Sequence, residues 1–302
     1  MDKDKAQAMV FASFIGDALA LGPHWIYDPN EIVARFGRIT GYTNPPEGGY
    51  HSGKKAGEFT HYGDQTLVLL RSVSEKQGFD LQDFSTKWQE LFKNYRGYTD
   101  QATAMTLENF RKGKPPEQSG STSDDLAGAS RISPLVYIYR DDIEALLRVS
   151  RVQTAMTHAA PITIQAAIFF STLAYHVLHG ENPGRAIEDL IGDTSISSEI
   201  RSLADKGLHS THEDTIAAMM RFGQSCHGPE AFPCVIHVLG KYTEDLPEAL
   251  IQSTMAGGDS AGRNMLIGMI LGAYLGMDSI PKAWVAELAA GPEISGYLEM
   301  MR

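Results

Sequence analysis

Apolar residues in this chain recur every three or four positions almost from end to end, a spacing that suits amphipathic helices and not strands. Between Lys5 and Leu21 the pattern runs through Ala8, Phe11, Ala12, Ile15, Ala18 and Leu19, and Gly22-Pro23 closes it. Similar patterns cover 66–76, 81–95, 100–111, 143–157, 162–179, 200–208, 215–221, 229–239, 246–255 and 263–275. No Asn-Gly or Asp-Gly turn joins two alternating apolar runs, so a hairpin has no starting point. The expected class is all-α.

With 302 residues, 43% of them hydrophobic and 21% charged, the chain can bury a substantial core. Two long segments without helical pattern, 42–62 and 112–123, are rich in turn-forming residues, and helices of similar composition flank both. They read as functional loops and not as linkers. No repeat is visible, and one compact multi-helix domain over 1–302 is expected. Gly268, Gly272 and Gly276 lie four apart on one helix face, where each costs about 1 kcal/mol against alanine. Close approach of a second helix is the expected reason.

The charge balance is acidic: 26 Lys+Arg against 37 Asp+Glu, net −11. That argues against nucleic acid as a partner, which needs clustered cations. The longest strongly apolar window, Met265 to Met277, falls short of the roughly 20 residues that span a bilayer, and the charged start lacks a signal peptide's apolar centre. Two cysteines, Cys226 and Cys234, build neither a disulfide framework nor a cysteine-rich zinc site. A cytoplasmic protein without a membrane partner is expected.

Two segments share a layout. Gly63-Asp64-Gln65-Thr66 and Gly257-Gly258-Asp259-Ser260 each place glycine and aspartate at the expected start of an apolar helix. Both aspartates suit N-caps, worth roughly 0.5–2 kcal/mol each. Equally, two converging helix starts would supply carboxylates for a hard cation and N–H groups for phosphate. Asp124-Asp125 opens another helical segment leading to Arg131; adjacent residues diverge by about 100° on a helix, so capping is favoured over joint ligation. Asp17, inside an apolar helix, calls for structural hydrogen bonds. His158 reads as a loop-fixing residue before Pro161, and His176/His179 and His209/His212 lack a third zinc ligand. No nucleophile elbow, phosphate loop or dinucleotide fingerprint is present.

The order of several short segments resembles the ADP-ribosylglycohydrolase family. They are Ile15-Gly16-Asp17-Ala18-Leu19, Tyr62-Gly63-Asp64-Gln65-Thr66, the stretch from Asp124 to Leu135 ending Arg131-Ile132-Ser133-Pro134-Leu135, Met156-Thr157-His158, Glu230-Ala231-Phe232-Pro233, and Gly257-Gly258-Asp259 leading to Gly272-Ala273-Tyr274-Leu275-Gly276. The resemblance runs from about Ala6 to Gly276. It implies an all-α enzyme that cleaves ADP-ribosyl bonds with two magnesium or manganese ions. The metal motifs depart from that pattern: Gly63, Gln65, Ala261 and Gly262 replace usual ligands, and His24 aligns with the family's glutamate. Two remaining carboxylates do not neutralise two divalent ions, so at most one Mg2+ or Mn2+ is expected, on Asp64 and Asp259, or none. Side branches similar to J1-crystallins and selenoprotein J keep the fold while changing these positions.

The resemblance then implies a remodelled hydrolase of an ADP-ribosyl or related N- or O-glycosidic bond, or an inactive ligand-binding or crystallin-like member. Asp64, Asp259, His24 and His61 are the expected catalytic groups. Gln65, Asp124, Asp125, Arg131, His158, Ser260, Arg263 and Asn264 are the expected ligand-binding groups. The expected partner is a small nucleotide or ADP-ribosyl ligand, free or carried on a modified protein.

Overall fold

The structure, a computed structural model, describes residues 3–301. Among them the chain is all-helical, with two isolated bridges, Ser121 with His158 and Asp125 with His227, in place of any sheet. Its centre is a pair of antiparallel helices, Lys3–Ala20 and Ser260–Leu275, buried nearly all round. Glycines bring the two backbones together. A β-carbon at Gly16 would lie 2.4 Å from the Asn264 carbonyl oxygen, one at Gly268 2.1 Å from that of Ala12, and one at Gly272 2.6 Å from that of Ala8. The expected close approach is thus met by Gly268 and Gly272. Gly276 differs: it ends the helix at φ 79°, bonding back to Gly272.

Around this pair pack Pro161–Leu178, Gly228–Lys241, Leu246–Met255 and the short helices Ala127–Ser130 and Ser133–Ile138. Pro161–Leu178 is long and apolar enough by length and composition to cross a membrane, a candidate that the window Met265–Met277 had hidden. Its Ala166, Phe169, Phe170, Leu173 and Ala174 are buried in the core. Helices Pro29–Phe36, Pro183–Gly192, Lys282–Glu287 and Gly291–Met300 escaped the periodicity reading. They are short, and three of them present fewer than four buried residues to the core.

One boundary matters for the site. The helix expected from Thr66 begins five residues earlier, at His61, because Thr60 caps it by accepting from the Tyr62 N–H at 3.1 Å. Asp64 therefore sits inside the first turn and caps nothing, whereas Asp259 does cap its helix, accepting from Gly262 N–H at 3.3 Å. Since both central helices run antiparallel, the end of Lys3–Ala20 and the start of Ser260–Leu275 meet at one place.

Gly268→Ala tests the central contact. Helix propensity alone favours alanine by about 1 kcal/mol, but the clash with the Ala12 carbonyl should outweigh it and leave a net loss of about 1–2 kcal/mol. Urea unfolding reads the difference; a stabilised variant would show that the helices part freely.

Candidate active site

Three carboxylates lie near the N-terminus of helix His61–Lys76, each held differently. Asp17 is buried and accepts hydrogen bonds from Thr60 N–H at 2.7 Å, Thr60 Oγ1 at 2.6 Å and Gly63 N–H at 3.2 Å. Gly63 is needed for this approach, since a β-carbon there would stand 2.5 Å from Asp17 Oδ2. Burial outweighs these bonds and raises the Asp17 carboxyl to about 6. Asp17 is structural, as the sequence indicated. Asp64 accepts from Lys54 Nζ at 2.6 Å and from the Tyr95 hydroxyl. Asp100 caps helix Gln101–Arg111 through Thr103 N–H and lies 3.0 Å from His61 Nε2. Burial would raise its carboxyl, but the pairing with His61 wins and holds it well below the usual carboxylate range.

The second cluster is deeper. Asp125, Cys226 and Asp259 place their carboxylate and thiol atoms within 4.8 Å of one another. Tyr62 donates its hydroxyl to Asp259 at 2.8 Å and stands 3.4 Å from Asp125. Trp25 Nε1 donates to the same Asp259 oxygen at 3.1 Å. Asp125 accepts from Ala127 N–H at 2.8 Å, while its neighbour Asp124 turns outward to His227 Nδ1 at 2.5 Å. The two aspartates precede helix Ala127–Ser130 and do not open it, so the expected helical divergence does not apply; the bridge of Asp125 with His227 sets their directions, and only Asp125 joins the site. Burial first, and the Asp259 charge second, push the Asp125 carboxyl well above its ordinary range, so it holds a proton that Asp259 and Tyr62 surround. Burial first, then Asp125 and Asp259, raise the Tyr62 phenol. Burial, with Asp125 and Asp259 beside it, also pushes the Cys226 thiol up.

An aromatic array covers this floor. His24, Trp25, His51 and His61 lie ring to ring, with His51 stacked 5.5 Å from Trp25 and 5.7 Å from His61. Trp25 adopts φ 65°, a left-handed conformation costly for so bulky a residue, and its peptide is pinned between the Gly258 carbonyl at 2.9 Å and the turn at Gly257-Gly258. Two cavities open beside it. One of about 290 Å³ is bounded by His24, Trp25, Arg35, Tyr50 and His51. The other, of about 360 Å³, is bounded by Trp25, Tyr27, Tyr50, Tyr98 and Cys226. His24 Nδ1 accepts from Ala261 N–H at 3.4 Å, which leaves the proton on Nε2. Burial keeps His24 neutral, and burial lowers His51 to about 3.

The expected ligand-binding groups divide sharply. Gln65 is buried with its amide oxygen between Trp88 Nε1 at 2.8 Å and Arg131 Nη1 at 2.7 Å, and its amide nitrogen on the His61 carbonyl. Arg131 continues through Thr157 to His158, and Gly128 makes room for the His158 ring. Burial lowers Arg131 to about 10 and His158 to about 3. Arg263 donates to the carbonyls of Gln224, Ser253 and Gly257, and Asn264 to Thr254. These five residues brace the walls. Ser260 is buried at the helix start with its hydroxyl unpaired. Of the zinc candidates, His209 and His176 pair with Asp205 and Glu181 at the surface.

The donor set does not fit a pair of magnesium or manganese ions, nor one ion shared by Asp64 and Asp259. Hard cations want about six oxygen ligands. Asp64 already holds an ammonium and a phenol, Asp259 accepts three hydrogen bonds, and the third group near it offers sulfur, a soft donor that magnesium and manganese do not favour. Lys54, Trp25, Tyr62, Tyr98, Asp100 and Cys226 were not among the residues expected from sequence. The density of aromatics in His24-Trp25-Ile26-Tyr27 and Tyr50-His51 was the available signal.

Two measurements follow from these charges. The raised Asp17 carboxyl binds its proton more tightly folded than unfolded, so its contribution is complete below pH 3.8 and is lost as pH rises through about 6. Relative to wild type, Asp17→Asn should therefore gain up to about 3 kcal/mol between pH 4 and pH 7. Urea titrations at several pH values read it, and a flat difference would mean that Asp17 does not titrate there. Separately, Mn2+ should leave the melting temperature of chelator-treated wild type unchanged, raise that of Lys54→Met, and lose that effect in Lys54→Met/Asp64→Asn. A wild-type response abolished by Asp64→Asn would show a cation seated beside Lys54.

The sequence profile of the ADP-ribosylglycohydrolase family matches residues 1–301. Crystallin J1A of Tripedalia cystophora is 24% identical, with 99% of this chain and 96% of that protein aligned. ADP-ribosylhydrolase ARH3 of Homo sapiens is also 24% identical, over 77% of this chain and 76% of its own. The ADP-ribosyl-[dinitrogen reductase] glycohydrolase of Rhodospirillum rubrum is 22% identical, over 94% and 90%. A solved structure described as an ADP-ribosylglycohydrolase-related protein complex superposes with a TM-score of 0.78 at 20% identity, covering 99% of this chain and 97% of that one. With the whole helical framework and nearly every residue of the chain matched, the protein belongs to the ADP-ribosylglycohydrolase family.

Proposed function

We propose that the protein hydrolyses an N- or O-glycosidic bond, of ADP-ribosyl or a related glycoside, through the buried Asp125–Asp259 pair and without a resident metal ion. The observation that carries this reading is the buried pair of carboxyls, Asp125 and Asp259, with Trp25 and Cys226 beside it, two residues that also bound the 360 Å³ aromatic cavity. Glycoside cleavage needs one carboxyl that gives a proton to the leaving atom and one carboxylate that meets the positive charge developing on the sugar. Asp125 fits the first role, because burial and the Asp259 charge push its carboxyl well above the ordinary carboxylate range. Asp259 fits the second, oriented by Tyr62 and Trp25. His24 and His61, the proton carriers expected from sequence, serve here as a neutral wall and as the partner of Asp100. The substrate class rests on the family and on the names of its relatives ARH3 and the dinitrogen reductase glycohydrolase.

A second reading has its own support: a ligand-binding or crystallin-like member without turnover. The Asp125–Asp259 pair is almost fully buried, and a J1 crystallin aligns over nearly the full length.

Turnover of an ADP-ribosylated protein by chelator-treated enzyme separates the two. Asp125→Asn and Asp259→Asn should each lower kcat by about 100-fold or more, the usual worth of positioned acid–base groups, while Asp64→Asn leaves the bond-breaking step in place. The rate should fall as pH rises and Asp125 gives up its proton. Undiminished turnover in Asp125→Asn would remove the pair from the chemistry, and ADP-ribose binding with no turnover would favour the second reading.

A further inference from the structure

The rings around the larger cavity have an arrangement that hydrolysis does not require. Trp25, Tyr50 and Tyr98 meet pairwise at nearly right angles: Trp25 with Tyr50 at 84°, Trp25 with Tyr98 at 78°, and Tyr50 with Tyr98 at 81°, with centroids 4.8–5.1 Å apart. Tyr27 adds a fourth ring, and Tyr27 and Tyr50 stay 49% and 62% exposed, so their surfaces are open to a ligand. No lysine or arginine bounds this cavity among the described residues. Its inner side carries the opposite sign. Asp259 takes a hydrogen bond from the Trp25 indole at 3.1 Å, and Asp125 and Cys226 lie within 4.8 Å of it.

We propose that this cavity takes a compact organic cation of the quaternary-ammonium type, held on the faces of Trp25, Tyr50 and Tyr98 and attracted by Asp259. Aromatic faces carry negative potential, and a cation within about 6 Å of a ring centroid is drawn to them. Several rings set at right angles present that potential from more than one side, which suits a roughly spherical charge better than a flat neutral ring. The hydrogen bond from the Trp25 N–H to a carboxylate pushes electron density into the indole and deepens the effect. A diphosphate would instead find no cationic side chain in the lining, with the Asp259 carboxylate behind the Trp25 indole, so the charged end of any nucleotide belongs outside this cavity. The inference concerns binding alone and holds or fails independently of hydrolysis.

Calorimetric titration of choline into chelator-treated protein tests it, with 3,3-dimethylbutan-1-ol as the neutral molecule of the same shape and ionic strength held constant. Choline should bind at least about tenfold more tightly than the alcohol. Tyr50→Leu, at an exposed position where folding is safe, should weaken choline by several fold and leave the alcohol unchanged, and Tyr98→Leu should do the same. Equal affinity for the two molecules would reduce the cavity to an apolar pocket and overturn the proposal. So would absence of choline binding up to concentrations on the order of 10 mM, or binding indifferent to both tyrosines.

Discussion

Everything in this molecule hangs on the contact between helices Lys3–Ala20 and Ser260–Leu275. Gly16, Gly268 and Gly272 let the backbones approach until carbonyl oxygens fill the space of missing side chains. Interiors packed at crystal-like density transmit such a constraint directly. Because the helices are antiparallel, the end of Lys3–Ala20 and the beginning of Ser260–Leu275 are forced together, with His24 Nδ1 facing the Ala261 N–H. The Gly257-Gly258 turn, the strained Trp25 and the Asp259 cap all sit at that junction. The site is the place where the central contact ends.

The second theme is how buried carboxylates are kept. A buried negative charge is costly unless it is paired, hydrogen-bonded or neutralised. Asp17 uses backbone and hydroxyl donors, Asp64 a tethered ammonium, Asp100 an imidazole. Asp259 uses the Tyr62 phenol, while burial and the Asp259 charge favour the protonated form of Asp125. Asp17 also keeps its proton above the ordinary range, but only Asp125 and Asp259 set two carboxyls side by side, which is why we propose the chemistry there. The Lys54 ammonium, carried on the loop 42–60, gives the Asp64 carboxylate its counter-charge.

The bracing shell shows the same logic among cations. Arg131 and Arg263 are as buried as the carboxylates, but each is aimed at neutral oxygens of Gln65, Thr157 and backbone carbonyls. They tie distant segments of the chain into one wall. Replacing any of these partners would open the wall before it touched the Asp125–Asp259 pair.

Periodicity alone determined the helical class, and glycine spacing determined that the last long helix must meet another closely, because both are local properties of the chain. The capping position of Asp259 and the hydrogen-bonded burial of Asp17 were legible for the same reason: a carboxylate beside glycines at a helix start, or within an apolar stripe, has few places to go. What sequence assigned to Asp64, Gln65, Arg263 and Asn264 depended on which groups lie opposite them, and spacing along the chain carries no record of that. Tertiary structure decided that Lys54 and Tyr95 engage Asp64, that Trp88 and Arg131 claim Gln65, and that Cys226 and the far more distant Asp125 join Asp259. Electrostatics falls off with distance in space and is blind to distance in sequence, so the fold wrote those partnerships and the sequence could only supply the candidates.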